Sequence, residues 1–97
     1  MDSSEINEVL SQKPQQIRIW ESHSLKPYIT SLIRVEVVKN VLTLHLKDSD
    51  NYEVSVVHIR DSGTWQYPDS FDSVARASNK PVIKSLDGFD PKNFDWL

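Results

Sequence analysis

From Ile33 to Arg60 the chain reads IRVEVVKNVLTLHLKDSDNYEVSVVHIR, its only long run of clean apolar and polar alternation. A period of two puts successive side chains on opposite faces of a strand, so this run predicts a three-stranded antiparallel meander. Lys39-Asn40 suits a two-residue turn, because asparagine tolerates positive φ. That turn pairs Val37 with Leu42, Val35 with Leu44 and Ile33 with Leu46. A second turn around Asp48-Ser49-Asp50 then faces Leu46 with Tyr52, Leu44 with Val54 and Leu42 with Val56. Shifting by one residue would set Leu46 against Glu53 and turn every side chain to the other face, so the first register is preferred. The expected inner face is Ile33, Val35, Val37, Leu42, Leu44, Leu46, Tyr52, Val54 and Val56. Val57 and Ile59 break the alternation, which predicts a bulge near Val56-Val57 or a strand end covered on both faces.

The flanks are shorter. Ile6, Val9 and Leu10 fall at helical spacing behind Ser4, predicting an amphipathic helix over about 4–12 with Ser4 as its N-cap. Lys13-Pro14 ends it, since the residue before proline avoids helical backbone. Gln15 to Glu21 alternates again, Ile17 and Ile19 against Arg18 and Trp20, and predicts a first strand. Glu21 to Thr30 reads as a connection, and Pro27 argues against a central strand there. After the turn Asp61-Ser62-Gly63-Thr64 comes an aromatic connection, Trp65-Gln66-Tyr67-Pro68. Asp69 or Ser70 caps a short helix to about Ser78, with Phe71, Val74 and Ala75 inward, stopped by Asn79-Lys80-Pro81. Val82-Ile83 opens a brief last strand, Leu86 to Phe89 turns, and Asp90-Pro91 is an N-cap with proline at N1 for a final turn through Phe94 and Trp96. The resulting fold class is α+β, with an antiparallel three- to five-stranded meander sheet and one or two short helices packed on one face. Residues 1–97 form a single domain, with 1–14 as a loosely docked N-terminal helix.

Composition narrows the function. A net charge of -3 without a basic cluster argues against nucleic acid and against a polybasic membrane contact. No stretch approaches the roughly 18 apolar residues of a membrane span. The start, Met1 to Glu5, is acidic where a signal peptide is basic, so a cytoplasmic location is expected. The chain has no cysteine, which removes disulfides, thiol catalysis and cysteine-ligated zinc.

Catalytic and metal chemistry find little to build on. His23, His45 and His58 lack metal-ligand spacing, and His45 is expected to point outward beside Arg34. Asp48, Asp50, Asn51 and Glu53 have a faint calcium-loop look but lack its central glycine, and turn chemistry accounts for them. Asp69 and Asp72 are ordinary acids at a helix start. There is no nucleophile elbow, no glycine-rich phosphate loop and no H-E-x-x-H. No cofactor, metal or catalytic residue is expected.

The large aromatics carry more information. Trp65, Tyr67, Phe89, Phe94 and Trp96 follow the meander among acidic residues, and they are the candidate partner-binding residues, because aromatics concentrate at binding hot spots. The competing account is that a chain of this size uses its aromatics to close its core. His58, Tyr67 and Phe71 are candidates for a ligand pocket between sheet and helix.

From Ile29 onward the chain resembles a family of small bacterial domains of unknown function. The matching pieces are Ile33 to Val37, Leu42 to Leu46 with Asp48 and Asp50, then Phe71, and Gly88-Phe89-Asp90-Pro91 ending at Leu97. The chain departs from the pattern in lacking the glycine of the acidic turn and in carrying Ser85 where the family tends to place tryptophan. Members of that family stand beside toxin-like proteins, so the resemblance implies an antitoxin or regulatory role and no known catalysis. Two functions are therefore in view. One is a non-enzymatic protein-binding module of antitoxin, immunity or assembly type, its partner another protein. The other is a small-ligand-binding protein or small enzyme. Self-association through a sheet edge is compatible with both.

Overall fold

The computed structural model describes residues 2–22, 24–68 and 82–94. Helix α1 (Ser3–Gln12) starts one residue earlier than expected, because the Asp2 side chain, not Ser4, accepts the Glu5 backbone N–H at 3.0 Å. The strands are β1 (Gln15–Glu21), β2 (Tyr28–Val38), β3 (Val41–Asp48), β4 (Glu53–Ile59), β5 (Trp65–Gln66) and β6 (Ile83–Asp87), followed by a 3-10 turn at Pro91–Asn93. They form one antiparallel sheet in the order β5-β4-β3-β2-β1-β6. β5 and β6, at opposite ends of that order, pack against each other and bring the sheet nearly round into a barrel.

This corrects the expected three- to five-stranded meander with one or two helices on one face. Among the described residues there are six strands and one α-helix. The reason lies in β2. Its first half, Tyr28 to Leu32, pairs with β1, while Thr30 to Val38 pairs with β3. Between Leu32 and Arg34 a bulge drops Ile33 out of register. A bulge bends its strand and increases the local twist. The inner faces on the two sides of β2 therefore bury one another: Ile17 and Ile19 join Leu32, Val35, Leu42, Leu44, Leu46 and Val56 in one core. A curled sheet supplies its own second layer. The expected helix over 69–78 lies outside the described residues.

Two registers differ from expectation in instructive ways. Val37 faces Leu42 and Val35 faces Leu44 as read from the sequence, but the bulge sets Leu32, not Ile33, against Leu46. The positive φ of that turn falls on Lys39 (56°), not on Asn40. In the second hairpin every pair is displaced by two residues: Leu46 faces Val54, Leu44 faces Val56 and Leu42 faces His58. Asp48 causes this. Its Oδ1 accepts the backbone N–H groups of Asp50 and Tyr52, each at 2.9 Å, and so builds a wider loop with Asn51 at φ 68°. Tyr52 is left 70% exposed instead of inside. A shift of two preserves the faces, so Val54 and Val56 stay buried and His58 joins them. No bulge forms at Val56-Val57, where the ladder is unbroken from Glu53 to Ile59.

β2 also begins inside the expected connection. Pro27 sits just ahead of it, where its missing N–H costs no ladder bond. Thr30 is buried and its hydroxyl donates to the Ile17 carbonyl at 3.1 Å. Past Leu32, β1 no longer covers the edge of β2, and α1 does so instead. Asn7 donates to the Val35 carbonyl at 2.9 Å and accepts from the Val35 N–H at 2.7 Å, occupying the place of a pairing strand. Leu10 anchors the helix in the core.

Candidate functional site

The stretch after Gly63 reads in the sequence as an aromatic connection, yet two of its residues form β5, where Trp65 pairs with His58 and Gln66 with Val57. Four rings follow one another in a row from this pairing. His58 meets Trp65 edge-on at 4.9 Å, Trp65 meets Phe89 edge-on at 6.1 Å, and Phe89 lies 6.1 Å from Phe94. The ends of this row, His58 and Phe94, are buried, whereas Trp65 and Phe89 are half-buried. Burial also lowers the His58 pKa below its ordinary value of 6.5, because the charged imidazolium loses water there.

Two hollows flank Trp65. One, of about 260 Å³, lies between Gly63-Thr64-Trp65 and Ile83 to Leu86. The other, of about 560 Å³, is bounded by Gly63, Trp65 and the segment Leu86 to Lys92. They share Gly63, Trp65 and Leu86, so together they make one open trough along β6.

The rim of this trough is held in place by backbone geometry. Gly88 has φ 116°, and a Cβ there would stand 2.5 Å from the Gln16 carbonyl oxygen and 2.9 Å from Ile17 Cδ1. Only glycine fits so close to β1 in that conformation. The Gln15 side-chain amide donates to the Gly88 carbonyl. Asp87 Oδ2 accepts from Trp20 Nε1 at 3.1 Å, while Asp90 caps the 3-10 turn by accepting the Lys92 N–H at 2.9 Å. Pro91 follows the cap at the first position, as the sequence predicted. Asp90 also receives the Asn93 amide at 3.3 Å. Both carboxylates are thus fixed at the mouth of an aromatic trough.

The candidate aromatics divide. Trp65 and Phe89 meet at the trough. Tyr67 is 4% exposed and Phe94 6% exposed, both within the core cluster. The Tyr67 hydroxyl donates to Glu21 Oε2 at 2.9 Å, tying the chain after β5 to the end of β1. Trp96 and Phe71 lie outside the described residues. Neither hollow described here is lined by His58 or Tyr67. Elsewhere, His45 does sit opposite Arg34 on the outer face, and its Nε2 lies 3.1 Å from Glu36 Oε1, a partner not foreseen. Among the described residues no group of three His, Asp or Glu side chains is placed to hold a metal, and no helix is long and apolar enough to cross a membrane.

Sequence reasoning missed Asp87 and Gly88 as site residues and treated Asp90 only as a cap. The signal was present in Gly88-Phe89-Asp90-Pro91, where glycine and a capped proline turn bracket an aromatic residue. What placed that loop beside Trp65 is the antiparallel pairing of β6 with β1, a contact between distant parts of the chain.

No protein-family model matches the chain, and no curated protein or solved structure matches it at a significant level. The resemblance to a toxin-associated bacterial family gains no support from these comparisons.

Proposed function

We propose that this protein is a non-enzymatic protein-binding module whose partner docks in the trough between β5 and β6. The observation that carries the reading is the juxtaposition of half-buried Trp65 and Phe89 across an open trough whose rim packs closely on β1 at Gly88. Aromatic anchors in a preformed depression dominate binding energy at protein interfaces, because they bury large area at little entropic cost. Asp87 and Asp90 are committed to hydrogen bonds that orient them, which suits fixed recognition charges. An antitoxin, an immunity protein and an assembly factor are all forms of such binding, and the identity of the partner decides among them.

The test is affinity capture from the source cell with the wild-type chain and with Trp65→Ala, both checked for folding by circular dichroism and thermal melting. A partner retained by the wild type and lost by folded Trp65→Ala supports the reading. Recovery of the same proteins in equal amounts by both chains sinks it.

A further inference from the structure

We infer that the length of β2 covered by α1 is a pairing edge for a second copy of this chain, and that α1 is the displaceable guard that keeps it closed. The inference does not depend on the trough, which no residue of this edge lines. Beyond Leu32 no described strand pairs with β2 on its β1 side, and the Asn7 amide meets the Val35 N–H and carbonyl instead. In an antiparallel ladder both backbone groups of one residue point to the same side, and those of the next residue point to the other. Val35 therefore sets the phase of the edge: it and Val37 turn their N–H and carbonyl groups away from β3. Two copies paired antiparallel about Val35 exchange with each other the two bonds that each now makes with Asn7.

The side chains of this edge complement themselves under that two-fold. Pairing about Val35 sets Arg34 of each copy opposite Glu36 of the other, twice by symmetry. Both side chains are about half exposed on the outer face, at 55% and 46%. Within its own copy Glu36 Oε1 lies 3.9 Å from Arg34 and 3.1 Å from His45 Nε2. A carboxylate accepts about four hydrogen bonds and a guanidinium donates five, so both keep capacity for a second partner. On the inner face Val35 meets its own counterpart, an apolar pair. The added strand stops at Leu32, which Gln15 of β1 already faces. The guard itself is lightly held. α1 has ten residues, buries one of them, Leu10, and packs on β2. A helix of that length is marginal by itself. Extended backbone at Lys13, followed by Pro14, joins it to β1, so it can leave without breaking a strand.

The experiment is sedimentation equilibrium of the full chain, with folding followed by circular dichroism. Two variants weaken the guard and leave β2 intact. Asn7→Ala removes its hold on Val35, and Glu8→Pro breaks the helix from an exposed position. Each is expected to tighten dimerisation about tenfold or more over wild type. In the Asn7→Ala chain, Arg34→Glu or Glu36→Arg alone sets like charges opposite each other and weakens the dimer roughly fivefold to thirtyfold. Mixing these two chains restores pairing, because the acidic edge of one then meets the basic edge of the other. Folded guard variants as monomeric as wild type overturn the inference. Dimers indifferent to both charge reversals, or a mixture that pairs no better than its components, overturn this edge as the interface. Unfolding of both guard variants shows that α1 belongs to the core and overturns it as well.

Discussion

Leu42, Leu44 and Leu46 of β3 have no exposed surface, and ladders flank them on both sides, whereas β5 contributes two residues of ladder and leaves Trp65 half in solvent. The wall of β2, β3 and β4 is held by many interchangeable contributions: aliphatic burial at about 25 cal/mol per Å² and a long row of backbone hydrogen bonds. The seam between β5 and β6 is held by a few specific ones, namely edge-on rings, one close-packed glycine, and the Tyr67 to Glu21 and Trp20 to Asp87 hydrogen bonds. A region built in the first way supports the fold. A region built in the second way keeps its shape while leaving surface uncommitted, which is what a recognition site needs.

The contrast is easiest to break at its largest expected effect. Leu44→Ala removes a fully buried side chain from the wall and is expected to cost about 2–5 kcal/mol in urea unfolding. If Trp65→Ala destabilises the chain more than this, the division into wall and seam is wrong. Gly88→Ala tests the seam itself. Positive φ and the approach to Gln16 predict a loss of about 1–3 kcal/mol, together with weakened capture of the partner because the rim carrying Phe89 must move. An alanine chain as stable as wild type would show that the rim is not held as described.

The smallest effect is the pH dependence, and it reports on two groups of the wall, His58 where β4 meets Trp65 of the seam and Asp48 at the far end of β3. His58, whose folded pKa lies below 6.5, contributes stability that is present above pH 6.5 and is lost as pH falls through its folded value. Asp48 belongs to the wall. Its pKa is held below 3.8 chiefly by the Tyr28 hydroxyl at 2.7 Å, then by the Tyr52 N–H, so its contribution is present above pH 3.8 and is lost as pH falls through its folded value. Melting temperature is therefore expected to decline in two stages on acidification. His58→Gln should flatten the stage just below pH 6.5, and Asp48→Asn the stage below 3.8. A His58→Gln chain that keeps the upper stage would assign it to another group.

Much of the fold was legible, because strand periodicity and capping are local: β1 was read with its bounds, the inner positions of β3 are as expected, and the Asp90-Pro91 cap follows from residue chemistry alone. Loop details were less so. The Asp48 side chain decided the register of β4 by two residues, through hydrogen bonds that a pattern of apolar positions does not encode. With no bulge in β4, His58 follows Val54 and Val56 inward, where a bulge or a strand end covered on both faces was expected at Val57 and Ile59. In the site, the aromatic residues were visible as candidates, but their division was not. Trp65 and Phe89 face the trough while Tyr67 and Phe94 fill the core, and nothing in the spacing of these residues distinguishes the two pairs.

By itself, then, the sequence determined the alternating strands, the first hairpin turn and the helix that caps an edge, since each depends on neighbours a few residues apart. Only the tertiary structure decided that the sheet curls instead of waiting for helices, because that depends on a bulge at Ile33 and on β6 returning to β1 across more than sixty residues of chain. The return of β6 also made the trough, bringing Asp87, Phe89 and Asp90 against Trp65. Pairing between distant segments is set by the free energy of the whole core, and no local pattern records it.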